Sequence, residues 1–156
     1  MPQQCAEQRA FAAAASFSDS AMSVLNTAAG AACRVAEQPK VVRSVSLDDG
    51  GSTLAVGGDD QCVRVYDVST MDAPLTKPRW IARHRAKVWV VRASPDGSHV
   101  AAGDYGDAVV VYRSADGAVA WEKRKWRGKG APFTWGLAWS SDNTKLALGH
   151  WDAYAY

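Results

Sequence analysis

The sequence predicts an all-β protein built from repeated antiparallel sheets, and three observations carry that prediction. Sliding the chain against itself by 46 positions aligns three segments without a gap, beginning at Arg43, Trp89 and Trp135. Within each segment, short β-branched and aromatic runs are bounded by Gly, Pro, Asp, Asn or Ser, the pattern of strands joined by tight turns. The runs are short and poor in 3.6-residue periodicity, so a helical alternative fails.

In chain order, residues 1–19 form an Ala-rich leader, expected to be poorly ordered or helical because "FAAAAS" favours helix. It lacks the basic start and strong apolar centre of a secretory signal. Arg9 is its one basic residue before Arg34, and its serines leave an organelle transit peptide open. Residues 20–38 read as the end of one strand, a turn at Thr27–Gly30 and a further strand at Ala31–Ala36.

Complete repeats follow over 41–82 and 87–123, and a partial one over 133–156. Val45, Val91 and Leu137 coincide under the shift, as do Leu54, Val100 and Leu146. Gly57, Gly103 and Gly149 align, and the run Val63, Val65, Tyr66 falls on Val109, Val111, Tyr112. Ser94-Pro95-Asp96-Gly97 is a turn, with Pro fixing φ and Gly tolerating φ > 0. Asp48–Gly51 and Ser140–Asn143 occupy the same place. The small residues Ala55 and Gly57 suit a strand packed closely against a neighbouring sheet.

This order of apolar strand, Ser-Pro-Asp-Gly turn, "LAVGG" strand, Asp-containing turn and "VRVYD" strand resembles the WD40 repeats over roughly residues 20–156. The resemblance implies a β-propeller arc of four-stranded antiparallel blades around a central channel, not closed by this chain alone. It also implies a non-catalytic scaffold or adaptor for protein partners. An unclosed arc would expose blade faces and strand edges, so self-association or pairing with another propeller segment is expected. A fragment of a longer propeller without autonomous function is the third reading.

The repeats depart from the family pattern. Its third strand ends in Trp-Asp, where this chain has Tyr66-Asp67 and Tyr112-Arg113. Trp151-Asp152 falls instead on Asp59-Asp60, the turn between second and third strands. The family's loop His survives only as His84, with Gln38 and Gly130 at the matching places. Its turn Asp is held by Asp60 and Asp152, while the middle repeat has Gly106. In the family that His and Asp join a Ser or Thr and the Trp in a buried hydrogen-bond network. With Gly106, Ala102 and Tyr112 around His84, the network is expected to be absent from the middle repeat. His84, Asp60 and Asp152 are therefore read as structural turn residues.

Composition excludes several function classes. Of 156 residues, 47% are apolar and 22% charged, which fits a globular domain, and a net charge of +2 implies no partner by itself. Cys5, Cys33 and Cys62 are too scattered for a disulfide framework or a zinc site, so a reducing cytoplasmic or nuclear setting fits best. No apolar run reaches the ~18 residues of a membrane helix. The three histidines share no ligand spacing. No phosphate-binding Gly loop and no Gly-x-Ser-x-Gly elbow occurs, and the pairs Asp48-Asp49 and Asp59-Asp60 sit at turns. Neither enzyme activity nor a cofactor or metal is expected.

One feature exceeds background. Residues 77–92 hold six Lys or Arg and no acid, and residues 123–129 hold five in "KRKWRGK". The 46-residue shift lays Lys77 on Lys123, Arg79 on Lys125, Trp80 on Trp126 and Arg83 on Lys129. The expected result is a basic strip with aromatic interruptions, comprising Lys77, Arg79, Trp80, Arg83, Arg85, Lys87, Lys123, Arg124, Lys125, Trp126, Arg127 and Lys129. It would bind acidic protein segments or, alternatively, RNA or another polyanion. The plainer reading is that the Trp residues cover blade edges while Lys and Arg keep them soluble.

Overall fold

The computed structural model describes residues 11–15, 22–26, 31–35, 38–70, 75–124 and 133–150, the first three segments as backbone. Its described residues form strands and no helix, so none of them lies in a helix long and apolar enough to cross a membrane. The first sheet has the order β1 (Phe11–Ala15), β2 (Met22–Asn26), β3 (Ala31–Val35). The second comprises β4 (Val42–Leu47), β5 (Thr53–Gly58), β6 (Cys62–Asp67) and β7 (Trp80–Arg83). The third comprises β8 (Val88–Ala93), β9 (His99–Asp104), β10 (Ala108–Arg113) and β11 (Val119–Arg124). The fourth pairs β12 (Thr134–Trp139) with β13 (Leu146–His150).

Every strand is antiparallel to its sequence neighbour within its sheet. Sheets pack in chain order, β1 on β4, β4 and β5 on β8, then β8 and β9 on β12. No substantial packing joins the first sheet to the fourth among the described residues, so the arc is open.

Part of the leader differs from expectation. Phe11–Ala15 is a strand, paired Phe11↔Asn26 through Ala15↔Met22, so the first sheet starts inside residues 1–19. The helix preference of the alanines is small, and pairing with "MSVLN" overrides it.

The central strands of the second and third sheets are buried on both faces because each of these two sheets has a neighbour on either side. Successive side chains point to opposite faces. Ala108, Val110 and Tyr112 accordingly enter a core shared with Val63 and Val65 of the second sheet. Val109 and Val111 enter another with Leu137 and Leu148 of the fourth. Each valine or leucine among them contributes roughly 1.5–3 kcal/mol when fully buried.

The glycines of the second strands are set by the next sheet. A Cβ on Gly57 would meet Val88 Cγ1 at 2.5 Å, and one on Gly103 would meet Thr134 Cβ at 2.6 Å. Hydrogen bonds stitch the same junction, with Val91 N–H donating to Ser44 Oγ at 3.1 Å and Ala93 N–H to Ser46 Oγ at 3.0 Å.

The fourth strands do not follow the 46-residue register. Trp80 stands opposite Val65, and Trp121 stands opposite Val111, the counterpart of Val65. Trp80 therefore corresponds to Trp121, not to Trp126, and Arg83 to Arg124, not to Lys129. The cause is loop length. Residues 68–79 lead into β7, whereas only 114–118 lead into β11.

Candidate functional site

One end of the sheets gathers the loops 38–41, 59–61, 84–87 and 105–107 with Phe133, and beneath them lies a buried polar network. His84 Nδ1 is 2.9 Å from Asp104 Oδ2, and His84 Nε2 is 3.0 Å from the Tyr112 hydroxyl. An ionised carboxylate can only accept, so Nδ1 carries the proton, and in the neutral ring Nε2 accepts from Tyr112 O–H. Asp104 Oδ1 also accepts from Gly106 N–H and Ala108 N–H, both at 2.9 Å. Burial pushes the Asp104 carboxyl up, but the bonds from His84 and the two amides outweigh it and hold it below the usual range. Burial pushes the Tyr112 hydroxyl up to about 12.

The expectation that no network forms in the middle repeat is thus incorrect. The carboxylate comes from Asp104, at the end of β9, rather than from the turn position held by Gly106, and Tyr112 replaces the Trp. In the repeat before it, Gln38 Nε2 donates to the Tyr66 hydroxyl at 3.2 Å, at the places of His84 and Tyr112. Asp60 holds its turn by accepting from Cys62 N–H at 3.2 Å, and pairs with Arg64 at 2.5 Å. Asp152 lies outside the described residues.

Above the network sits a stacked surface. Arg43, Trp89 and Trp135 hold the same position in β4, β8 and β12. The Arg43 guanidinium lies 5.1 Å over the Trp89 ring, and Trp89 stacks on Trp135 at 5.4 Å. Tyr105 stacks on Phe133 at 4.6 Å, and both contact Trp89. Tyr105 and Trp135 remain 49% and 55% exposed, so aromatic area faces solvent.

At the first of these places the chemistry changes. Asp59, which matches Tyr105, takes Arg43 in two bonds of 2.6 and 2.8 Å and Lys87 in a third of 3.0 Å. The bonded Arg43 guanidinium is the main cause that holds the Asp59 carboxyl down at about 2.

The basic strip is dispersed. Lys77 and Arg79 lie at the opposite end of β7 from Arg85 and Lys87, and several members are engaged. Arg79 pairs with Asp67 at 2.7 Å and donates to Ser114 C=O at 3.3 Å. Trp80 Nε1–H donates to Ser114 C=O at 2.8 Å and its ring packs on Tyr112 at 5.4 Å. Lys87 bonds Asp59, and Arg124 bonds Glu122. Lys77, Arg83, Arg85 and Lys123 are exposed. Lys125, Trp126, Arg127 and Lys129 lie outside the described residues.

The family described as "WD domain, G-beta repeat" matches residues 34–67 and 77–113. The chain belongs to the WD40 repeat family. Among curated relatives, the "66 kDa stress protein" of Physarum polycephalum is 33% identical over 119 residues. "WD repeat-containing protein 1" of Rattus norvegicus is 34% identical over 119 residues. Either match takes in 76% of this chain and only 18% of the relative. One chain in a crystal structure of the mitotic checkpoint complex superposes with a TM-score of 0.73 at 23% identity, covering 94% of this chain and 46% of that one. That likeness concerns the fold alone.

WD40 repeats generally serve as non-catalytic interaction scaffolds, so the exposed face of the loop end matters more than its buried polar groups. The sequence carries a signal for that face. The shift that aligns the repeats puts Arg43 with Trp89 and Trp135, and Asp59 with Tyr105. A charged pair in one WD40 repeat thereby becomes an aromatic pair in the next.

Proposed function

We propose that the chain is a non-catalytic protein-interaction scaffold of the cytoplasm or nucleus that docks an acidic segment of a partner protein on its loop end. The observation that carries this reading is the exposed Tyr105 and Trp135 pair beside cationic side chains. Arg85 and Lys87 are exposed in the neighbouring loop 84–87, whose Lys87 C=O accepts from Tyr105 N–H at 2.9 Å. The bond to Asp59 uses one of the three ammonium protons of Lys87. An apolar side chain would rest on the rings, and a neighbouring carboxylate would meet the cations.

A nucleic acid is a poorer fit, because a platform for successive bases needs several rings in a row with a free face. Here Trp89 is covered by Trp135 and Arg43, and Tyr105 by Phe133. Panning a peptide display library on the full chain tests the proposal. Selected peptides should carry Asp or Glu beside apolar residues and lose at least ~10-fold in affinity, about 1.4 kcal/mol, against the Tyr105→Ala/Trp135→Ala variant. Peptides that bind the double variant equally well overturn it, as does a preference for single-stranded RNA with a steep salt slope.

A further inference from the structure

The turn 105–107 presents Tyr105, the loop 84–87 presents Arg85 and Lys87, and one buried pair ties the two together. A Cβ on Gly106 would meet Ala86 Cβ at 3.0 Å, so the turn lies directly against the loop. His84 N–H donates to Gln61 C=O at 2.7 Å, and Tyr105 N–H to Lys87 C=O, which links three of the loops through their backbones. Beneath this contact the buried His84 ring bonds the buried Asp104 carboxylate. The same carboxylate takes the amides of Gly106 and Ala108. Those two bonds bracket Asp107, whose φ of 70° lies in the left-handed region that is uphill for a residue with a Cβ.

The sheet itself forms without such a pair. One repeat earlier, Gln38 and Tyr66 stand in the places of His84 and Tyr112, and Gly58 stands in the place of Asp104. Strands β4 to β7 still assemble in the same antiparallel order as β8 to β11. A buried carboxylate is unfavourable unless a full set of bonds compensates it. What distinguishes the two repeats at the surface is the residue presented. Asp59 is fixed by its own ion pairs with Arg43 and Lys87. Tyr105 is held at its ring by Phe133 and Trp89, and at its backbone from below.

We propose that the His84–Asp104 pair is the positioning element of the docking face. It locks the Tyr105 turn and the Arg85–Lys87 loop into one unit, so that ring and cations meet the acidic segment at a fixed spacing. Both residues are buried, so they act through Tyr105, Arg85 and Lys87. This role rests on the docking reading of the loop end and names the residues that set its geometry. A pre-organised face loses less conformational freedom on binding, so releasing the turn weakens binding without deleting a contact.

Two measurements test it. In the free chain, amide exchange at Tyr105 and Gly106 should quicken at least ~10-fold for Asp104→Ala and stay parental for Asp104→Asn. The asparagine oxygen still accepts both amides. Its NH2 donates to His84 Nδ1 once the ring proton sits on Nε2 and is offered to Tyr112.

The second probe is a display-selected peptide that Tyr105→Ala/Trp135→Ala weakens. Its dissociation constant should rise at least ~10-fold for Asp104→Ala and stay within about 2-fold for Asp104→Asn and Gln38→Ala. Coulomb effects alone would act in reverse, because removing a negative charge favours an acidic ligand. If Asp104→Ala does not fold, the unmodified chain carries the test. Peptide at about ten times its dissociation constant should slow exchange at Gly106 and Ala108 about 10-fold, since binding selects the held turn. Unchanged exchange in the variant or in the peptide-bound parent overturns the proposal, as does an equal loss of affinity for Asp104→Asn or Gln38→Ala. Exchange in the free chain needs no peptide, so its failure is distinct from failure of the docking reading. The latter shows as the lack of any peptide sensitive to Tyr105→Ala/Trp135→Ala, and it removes the proposed role as well.

Discussion

The junction between the second and third sheets and the junction between the third and fourth use the same positions to different ends. In the first, Gly57 admits Val88, Trp80 is clasped by β10 and its turn, and Ser44 and Ser46 accept amide protons from β8. In the second, Gly103 admits Thr134 in the same way, but Trp121 stays half exposed over a groove. A Cβ on Gly149, the third glycine of the series, would meet nothing within 4 Å among the described residues. A repeat position is thus a structural requirement only where a neighbour presses on it. Where the described residues place none, the same residue type has open space on that side.

Substituting the glycines gives the largest expected contrast. Gly57→Val or Gly103→Val forces atoms into Val88 or Thr134 and should cost about 3 kcal/mol or more, the upper range of overpacking. Gly149→Val, whose added atoms meet no described neighbour, should cost clearly less, about 1 kcal/mol or below, the ordinary size of a single substitution. Denaturant melts of the three variants check this, and similar losses at all three positions would break the comparison.

The polar network offers the next contrast. His84→Ala removes the ring that bonds both Asp104 and Tyr112, leaving a buried carboxylate short of a partner, and should cost about 1–3 kcal/mol. Gln38→Ala removes one bond to Tyr66 and should cost nearer 1 kcal/mol. Chemical denaturation separates them, and an equal or larger loss for Gln38→Ala would contradict the assigned roles.

How far the sequence reveals this arrangement depends on which residues are asked about. The second and third sheets are legible because Leu54, Gly57, Val63 and Tyr66 each have partners 46 residues on. The His84 network is not, since its carboxylate sits two residues before the aligned turn position, where only folding of β9 brings it to the ring. The Trp80–Trp121 equivalence is hidden by unequal loops, 68–79 against 114–118, which move the outer strands out of the repeat register. The strand at Phe11–Ala15 is hidden because alanine carries little β signal and pairing with β2 supplies what the local sequence lacks. The stack of Arg43, Trp89 and Trp135 is legible in principle, because one shift aligns all three.

The smallest effect concerns Asp59, the charged counterpart of Tyr105. Its carboxyl is held down at about 2 from an ordinary 3.8, chiefly by its bond with Arg43. A depressed carboxylate contributes stability fully above its unfolded value and loses it as the pH falls through the folded one. The ties of Asp59 to Arg43 and Lys87 should therefore weaken from about pH 4 down to about pH 2. Asp59→Asn should remove that part of the acid sensitivity. Acid titrations with identical slopes for the two chains would refute the assignment.

The central claim, that Trp80 is sealed where its counterpart Trp121 is open, is tested most directly by comparing melting temperatures of Trp80→Ala and Trp121→Ala. Trp80→Ala should cost about 2 kcal/mol, below the range for a fully buried Trp. That corresponds to a fall of about 4–8 °C in a chain of this size. Trp121→Ala should move the midpoint by no more than about 1 °C, a few tenths of a kcal/mol. Equal falls in the two variants, or a larger one for Trp121→Ala, would contradict the account.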